Sequence, residues 1–447
     1  MAKSITVYRC THCDSQFPKW EGKCRECGSW GTLIEAQEAK KPVSSARSFG
    51  APAKVLKAST LHGNEAKRTP TGIQEFDRVL GGGLVKGAVY LVGGDPGVGK
   101  STLLLQLLDT IHVNSLYVSG EESTDQISGR IKRLNIQVEK TGFISETNLE
   151  TILATIADAR PDVVIIDSIN TMHDETIGSE PGSVSQIKTV TAKLVEIAKQ
   201  QAVTMCIVGH VTKSGSVAGP KTLEHLVDAV LYVEGDEHGL HRIVRSTKNR
   251  FGSVNEIGVF TLDDRGFHEA KNPSQIFIKS HQSPVSGSVI TPVVEGSRVF
   301  FLEYQALLSY SKFGYPVRKA IGFDPNRLSM LLAVMNKRLH ISLEQYDIHI
   351  NVEGGMKLLE PSCDLAVIAA LVSAFKNVPV PDKTILFGEV GLAGEVRPVA
   401  HDSKRIIESS KLGFHPIICP LSEATDQRRC IGVSSVQDAI SQIWKNK

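Results

Sequence analysis

The chain has 447 residues, 50 Lys+Arg against 48 Asp+Glu, 41% hydrophobic residues and 6% aromatic ones. At about 100–200 residues per domain this length implies two to four domains, and a net charge of +2 excludes a bulk polycation or an acidic-tail protein. No run approaches the ~18 apolar residues of a membrane helix, and Met1 to Arg9 holds no apolar signal core, so a cytoplasmic protein with no membrane partner is expected.

Charge and cysteine are unevenly spread. Residues 1–72 hold twelve Lys/Arg against six Asp/Glu, a formal +6, while the remainder carries 38 against 42. Four of the eight cysteines, Cys10, Cys13, Cys24 and Cys27, fall within eighteen residues as C-x2-C-x10-C-x2-C. Each C-x2-C turns two thiolates onto one tetrahedral centre, and the short spacer folds the pairs together. With four protein ligands the centre is a structural zinc, which leaves no position for a catalytic water. His12 lies inside a knuckle as a bystander. The spacing therefore predicts a zinc ribbon over residues 1–34. Residues 35–68, rich in Ala, Ser, Lys and Pro with no sustained period, read as a linker.

Ordered structure is expected to resume at Thr69, and residues 88–101 carry the strongest signal. Ala88 to Gly93 reads as a buried strand. It runs into Gly94-Asp95-Pro96-Gly97-Val98-Gly99-Lys100-Ser101, a G-x4-G-K-[ST] loop, and then into the apolar helix that starts with Thr102. Glycines there let backbone N–H groups point at phosphate oxygens, and the helix N-terminus adds its positive dipole end. Residues 94–102 are thus the predicted ATP cradle, with Lys100 on the β- and γ-phosphates and the Ser101 hydroxyl on Mg²⁺.

Strands and helices then alternate. Residues 115–119, 142–144, 163–167, 203–209 and 228–233 read as buried strands, the pattern of a parallel sheet covered on both faces. Asp167 ends an apolar run, from which a carboxylate reaches the Mg²⁺ shell. Glu121 and Glu122 follow a strand expected to lie beside the loop strand, and one of them is expected to orient the attacking water. Both also stand at the start of a helix, where negative charge is favoured in any case.

The segment Thr71 to Leu84 leading into the loop resembles that of RecA-like ATPases. Zinc ribbon, RecA-like core and Lys248-Asn249-Arg250-Phe251-Gly252, in that order, resemble the RadA (Sms) family of bacterial DNA repair proteins over essentially the whole chain. The resemblance implies a DNA-dependent ATPase that acts on single-stranded and branched DNA. It further implies branch migration during strand exchange by the RecA recombinase, and a homo-hexameric ring with nucleotide between neighbours. In such a ring Lys248 and Arg250 would act partly on a neighbour's nucleotide, in the manner of an arginine finger. Residues 241–250 hold four Lys/Arg and no acid. His210 would sense the γ-phosphate, and the Gly/Ser-rich segment Lys213 to Lys221 resembles a DNA-contacting loop. The low aromatic content argues against base stacking as the main grip on DNA, so phosphate contacts and strong salt dependence are expected.

From about Asn272 the chain restarts. Glu353 to Ser373 and Gly388 to Pro398 resemble the proteolytic domain of Lon, whose nucleophile lies in G-P-S-A-G. Here that motif reads Glu360-Pro361-Ser362-Cys363-Asp364, with acids at both glycine positions, and the expected lysine position holds Ser403, with Lys404 one residue later. One residue turns a helical side chain by about 100°, so a Ser–Lys dyad is not expected. Lys337, Arg338, Lys404 and Arg405 read as surface cations. The expected architecture is α/β: ribbon 1–34, linker 35–68, RecA-like P-loop ATPase core 69–272, and an α+β Lon-protease-like domain 273–447 without proteolysis. The competing readings are a Lon-like protease using Ser362 and a KaiC-like regulatory ATPase.

Overall fold

The structure, a computed structural model, describes residues 4–11, 16–25, 29–39, 67–209, 223–235, 241–275, 278, 284–312, 315–353, 360–422 and 430–445. Two compact units make up the chain. The first comprises residues 1–234, 244–254 and 263–267, and the second residues 235–243, 255–262 and 268–447. The chain therefore passes between the units several times, rather than once at the expected 272/273 boundary. Among the described residues, no helix is long and apolar enough to cross a membrane.

At the N-terminus, β1 (Ser4–Cys10) pairs antiparallel with β2 (Gln16–Phe17) and β3 (Leu33–Ala39). Cys10 and Cys24 are fully buried and pack with Leu33, Tyr8 and Phe17. β3 runs past Leu33 and Ile34 to Ala39, so the ribbon sheet extends beyond the expected end at residue 34. The cause is β1, whose seven residues each find a partner on β3. Sheet pairing continues as long as a partner strand offers N–H and C=O groups, whatever the side-chain composition.

The α/β core opens with β4 (Arg68–Thr69) paired to β5 (Leu84–Val85) around α1 (Gln74–Leu80). Next come β6 (Val89–Gly94), α2 (Lys100–Ile111), β7 (Ser115–Ser119), α3 (Thr124–Leu134), β8 (Thr141–Ser145) and α4 (Leu149–Ala159). β9 (Val163–Asp167), α5 (Val184–Gln201), β10 (Thr204–Val208) and β11 (Ala229–Gly235) complete the alternation. The sheet runs β11-β6-β10-β9-β7-β8, parallel at every one of these pairings. Every residue of β6, β7, β9 and β10 is buried, as expected of central parallel strands with helices on both faces. The N-caps follow local rules. Ser123 opens α3 with a full capping box to Gln126, and Asn148 and Ser183 cap α4 and α5 through their side chains.

One sequence expectation is corrected here. β7 does not lie beside β6, because β10 and β9 stand between them. Both intervening strands come later in the chain, so the positions that α2 crosses over are filled only after the crossover has been made. Their parallel ends still point the same way, so the loops after β6, β7 and β9 emerge at one edge of the sheet.

β12 (His241–Asn249), β13 (Ile257–Asp263) and β14 (Gly266–Glu269) follow in chain order. In the second unit β15 (Ser288–Glu295), β16 (Arg298–Tyr310), β17 (Arg318–Ile321) and β18 (Tyr346–Val352) precede β19 (Ile385–Leu386). The short hairpin of β20 (Glu389–Val390) and β21 (Val396–Arg397) then leads to β22 (Ile417–Pro420) and β23 (Ile431–Val433). The seven-stranded sheet has the order β17-β18-β16-β15-β19-β22-β23. Its helices are α6 (Pro325–Val334), α7 (Asp364–Lys376), α8 (Asp402–Lys411) and α9 (Val436–Ile443). α7 is buried from Asp364 through Ser373, so it threads the core of this unit as a helix with no solvent face.

Candidate active site

The phosphate loop spans the end of β6 and the start of α2. Gly94 has φ +150°, and a Cβ there would stand 2.4 Å from the Val233 carbonyl oxygen of β11, so only glycine fits. Asp95, Pro96 and Gly97 form an exposed crest, while Val98 and Lys100 turn inward. The Lys100 ammonium is buried and donates to the carbonyls of Gly94 at 2.9 Å and Asp95 at 3.0 Å. Burial lowers its pKa, and the carboxylates of Asp167, Glu121 and Asp95 pull it back up. A cation held this way gains most when phosphate oxygens replace those two carbonyls. Ser101 and Thr102 form the first turn of α2.

Asp167 terminates β9 and is nearly buried. Its Oδ2 accepts a hydrogen bond from the fully buried phenol of Tyr117 on β7. Burial first, and Asp167 second, push the Tyr117 pKa well above the phenol range, so the phenol remains a donor. The next residue, Ser168, is joined by a cis peptide bond and donates from Oγ to Glu121 Oε1 at 2.5 Å.

The backbone brings the two strand ends together as well. Gly120 N–H donates to the Asp167 carbonyl at 2.8 Å, and a Cβ on Gly120 would sit 2.0 Å from Thr171 Oγ1. The close approach of the loop after β7 to the loop after β9 therefore requires a glycine.

These contacts separate the two glutamates. Glu121 lies with Ser168 and acts on Lys100, on the phosphate side. Glu122 is engaged by Arg130 of α3, and its N–H donates to Ser119 Oγ at 2.9 Å. The structure thus brings Lys100, Asp167 and Glu121 together and ties Glu122 to a helix. An Asp167 oxygen fixed by a phenol, with Ser101 at the start of α2, is a donor set of hard oxygens suited to Mg²⁺. Tyr117, Ser168 and Arg130 were not singled out from sequence, where a strand tyrosine and a post-strand serine carry no distinguishing pattern.

Lys248 and Arg250 lie elsewhere. Lys248 Nζ donates to the carbonyls of Glu224 at 2.5 Å and Val227 at 2.8 Å. Arg250 N–H donates to the Asp228 carbonyl, and its half-exposed guanidinium stands 3.5 Å from Asp228 Oδ1. Asp228 in turn exchanges hydrogen bonds with Val89 at the start of β6. Val89 and Gly94 are the two ends of that strand, about 17 Å apart at the usual rise. The two cations therefore sit at the opposite end of β6 from the phosphate loop of the same chain. Asn249 ties the motif to the end of α1 through the carbonyls of Val79 and Leu80.

In the ribbon, Cys10 and Cys24 are buried in one small cluster, which fits thiolates turned inward onto zinc. Cys13 and Cys27 lie outside the described residues, as do His12, His210 and the segment from Lys213 to Lys221.

The second unit settles the chemistry available at Ser362. Ser362 is 0% exposed, and its Oγ accepts from Arg405 Nη1 at 3.2 Å. Arg405 was expected at the surface. It is instead fully buried, with further bonds to the carbonyls of Ala400 and Pro292 and to the Glu360 carboxylate. A guanidinium is a donor only and stays protonated, so it cannot take a proton from a serine. Lys404 points away and donates to the Ser297 carbonyl at 2.5 Å. The two acids at the glycine positions explain the change, since Glu360 holds Arg405 and Asp364 holds Arg327 in a two-pronged pair. Among the described residues Ser362 therefore has neither a base nor access to substrate.

Comparison with known proteins places these features. Residues 57–216 match an AAA domain, residues 8–35 a rubredoxin metal binding domain, and residues 329–437 the Lon protease (S16) C-terminal proteolytic domain. A solved KaiC-like protein from Pyrococcus horikoshii is similar over 46% of this chain and 99% of its own, with a TM-score of 0.39 and 21% identity. DNA repair protein RadA of Pseudomonas aeruginosa is 45% identical over 453 residues, covering 100% of both chains. RadA of Bacillus subtilis is 43% identical, covering 98% of this chain and 99% of its own. RadA of Rickettsia conorii is 45% identical, covering 96% of this chain and 98% of its own. With a zinc-ribbon match, an ATPase core and full-length relatives of this identity, the chain belongs to the family of the DNA repair protein RadA.

Proposed function

We propose that the chain is a DNA repair ATPase that couples ATP hydrolysis to movement along single-stranded DNA. Its substrates are recombination intermediates, and its output is branch migration alongside a RecA-type recombinase. The observation that carries the reading is the buried Lys100 ammonium held on the loop carbonyls of Gly94 and Asp95, in a chain matched end to end by RadA proteins.

In this mechanism the backbone of residues 94–99 and the dipole of α2 cradle the phosphates. Lys100 leaves its two loop carbonyls for the β- and γ-phosphate oxygens. Ser101 and Asp167 would hold Mg²⁺, which supplies charge neutralisation of the phosphates. Tyr117 keeps one Asp167 oxygen occupied and so fixes the direction of the other. Glu121 accepts the proton of the attacking water, and Ser168 Oγ holds its carboxylate in place. Cys10, Cys13, Cys24 and Cys27 would hold a structural zinc.

Lys248 and Arg250 are too far from the phosphate loop of their own chain to reach its nucleotide. Their placement supports a role toward the nucleotide of a neighbouring copy, which makes a homo-hexameric ring part of the proposal. A cytoplasmic location accords with a DNA substrate. The test is steady-state ATPase activity with no DNA, with single-stranded DNA and with branched DNA across a salt series. Stimulation that fades as salt rises is expected. A rate indifferent to DNA at every salt concentration would rule the reading out.

A further inference from the structure

Aromatic residues make up only 6% of the chain, and it has three tryptophans. Two of them, Trp20 and Trp30, lie on the ribbon with 60% and 75% of their surface exposed. The third, Trp444, is partly buried and bonds through its indole N–H to the Pro379 carbonyl. A single exposed hydrophobic residue needs no explanation. Two open indoles on one small zinc ribbon call for one, because tryptophan carries the largest apolar surface of any side chain and is normally covered.

The local backbone holds Trp30 out rather than leaving it loose. Gly31 N–H donates to the Gly22 carbonyl at 2.8 Å and Cys24 N–H donates to the Ser29 carbonyl at 2.9 Å. These bonds, with the antiparallel bridge between Lys23 and Trp30, clamp a hairpin whose ends face each other. The Trp30 ring lies along Gly22, where an added Cβ would come within 3.7 Å of its Cζ3. Lys23 Nζ stands 5.7 Å from the ring centroid.

The segment that carries the ribbon is basic, with twelve Lys/Arg against six Asp/Glu over residues 1–72. Glu21 is taken up by Arg25, and Lys19 and Lys23 flank the two indoles in sequence. An exposed indole with an ammonium over its ring matches an unpaired base and its phosphate. Duplex DNA keeps its base faces stacked inside, so the occupant is single-stranded.

We infer that Trp20 and Trp30 form a base-stacking platform for single-stranded nucleic acid on the zinc ribbon, with Lys19 and Lys23 as its phosphate contacts. The inference deepens the DNA-directed reading above and rests on it. It also relocates stacking, from a device the whole composition makes improbable to one confined to the ribbon.

The test titrates the zinc-loaded full-length chain with oligothymidylate. Wild type is compared with Trp20→Ala, Trp30→Ala and the double variant, zinc content being measured in each to confirm a folded ribbon. Loss of each ring should weaken binding by about 5-fold to 100-fold, the range set by base–aromatic stacking. The slope of affinity against salt should stay unchanged, because no phosphate contact is removed. Tryptophan fluorescence should be quenched on binding in wild type and not in the double variant, where only Trp444 emits.

Equal affinity of wild type and a zinc-replete double variant overturns the platform while leaving the DNA reading intact. So does a double variant that binds DNA normally but no longer binds a partner protein, which would assign the rings to that protein. A wild-type chain that does not bind single-stranded DNA at low salt overturns the platform and the DNA reading together.

Discussion

Replacing Glu121 by Gln keeps the shape of the side chain and removes its charge and its capacity to accept a proton. Glu121 is the carboxylate that Ser168 Oγ holds at 2.5 Å and that acts on the Lys100 ammonium. General-base catalysis contributes about 10²–10⁴ in rate, so Glu121→Gln should lower turnover by about that factor, or roughly 3–5 kcal/mol of barrier. The neighbouring Glu122→Gln removes half of an ion pair with Arg130 whose side chains are 29% and 20% exposed. That pair takes no part in accepting the proton of the water, so Glu122→Gln should leave turnover within about tenfold of wild type, below the loss of a general base. The assay is single-turnover ATP hydrolysis at saturating Mg²⁺, with binding of a fluorescent ATP analogue measured separately. Nucleotide affinity should hold in both variants. If Glu122→Gln suffers the large loss and Glu121→Gln keeps its turnover, the assignment of the base is refuted. Equal losses in both would refute it as well.

Three further outcomes follow from the same geometry. Tyr117→Phe removes the donor to Asp167, and hydrogen bonds to charged groups contribute about 1.5–3 kcal/mol. Denaturant unfolding should show a loss of that order, and the Mg²⁺ concentration for half-maximal nucleotide binding should rise; no change in either contradicts the role given to the phenol. Arg250→Ala should reduce ATPase activity with little loss of stability, because the 59% exposed guanidinium makes only a long contact with Asp228. Lys248→Ala should reduce activity and also destabilise by about 1–2 kcal/mol, since the carbonyls of Glu224 and Val227 lose their donor; matched stabilities of the two variants would contradict this distinction. Ser362→Ala should leave ATPase and DNA binding unchanged, whereas Arg405→Met should destabilise by about 3–5 kcal/mol by stranding the Glu360 carboxylate, a difference visible in thermal unfolding.

Much of the core was legible because its signals are local. β9 falls at Val163–Asp167, where four β-branched residues run straight into an acid. The loop glycines announce themselves by spacing, and Gly94 shows why, since no side chain fits beneath Val233. The position of β7 was not legible, because strand order depends on which crossovers pack and leaves no periodicity in the chain. Nor was the choice between Glu121 and Glu122, which rests on two partners remote in sequence, Ser168 and Arg130. Arg405 misled for a related reason. An arginine on a polar helix reads as a surface cation, and only the fold shows that Glu360, Ser362 and two carbonyls surround it.

The positive charge of residues 1–72 also gains meaning from structure. Its clearest structured portion is a ribbon that displays two indoles, one of them with the Lys23 ammonium over its ring. The remainder, with 38 Lys/Arg against 42 Asp/Glu, contains the ATPase core, so a near-neutral total conceals an uneven division of charge along the chain.

The central claim is that ATP turnover at Lys100, Asp167 and Glu121 is coupled to DNA. It is tested most directly by measuring ATPase activity of the wild type and of Lys100→Ala, each with and without single-stranded DNA at low salt. The account predicts a DNA-stimulated rate in the wild type and loss of both basal and stimulated turnover in Lys100→Ala, with DNA binding retained. A wild-type rate that DNA leaves unchanged, or a Lys100→Ala chain that still hydrolyses ATP, would contradict it.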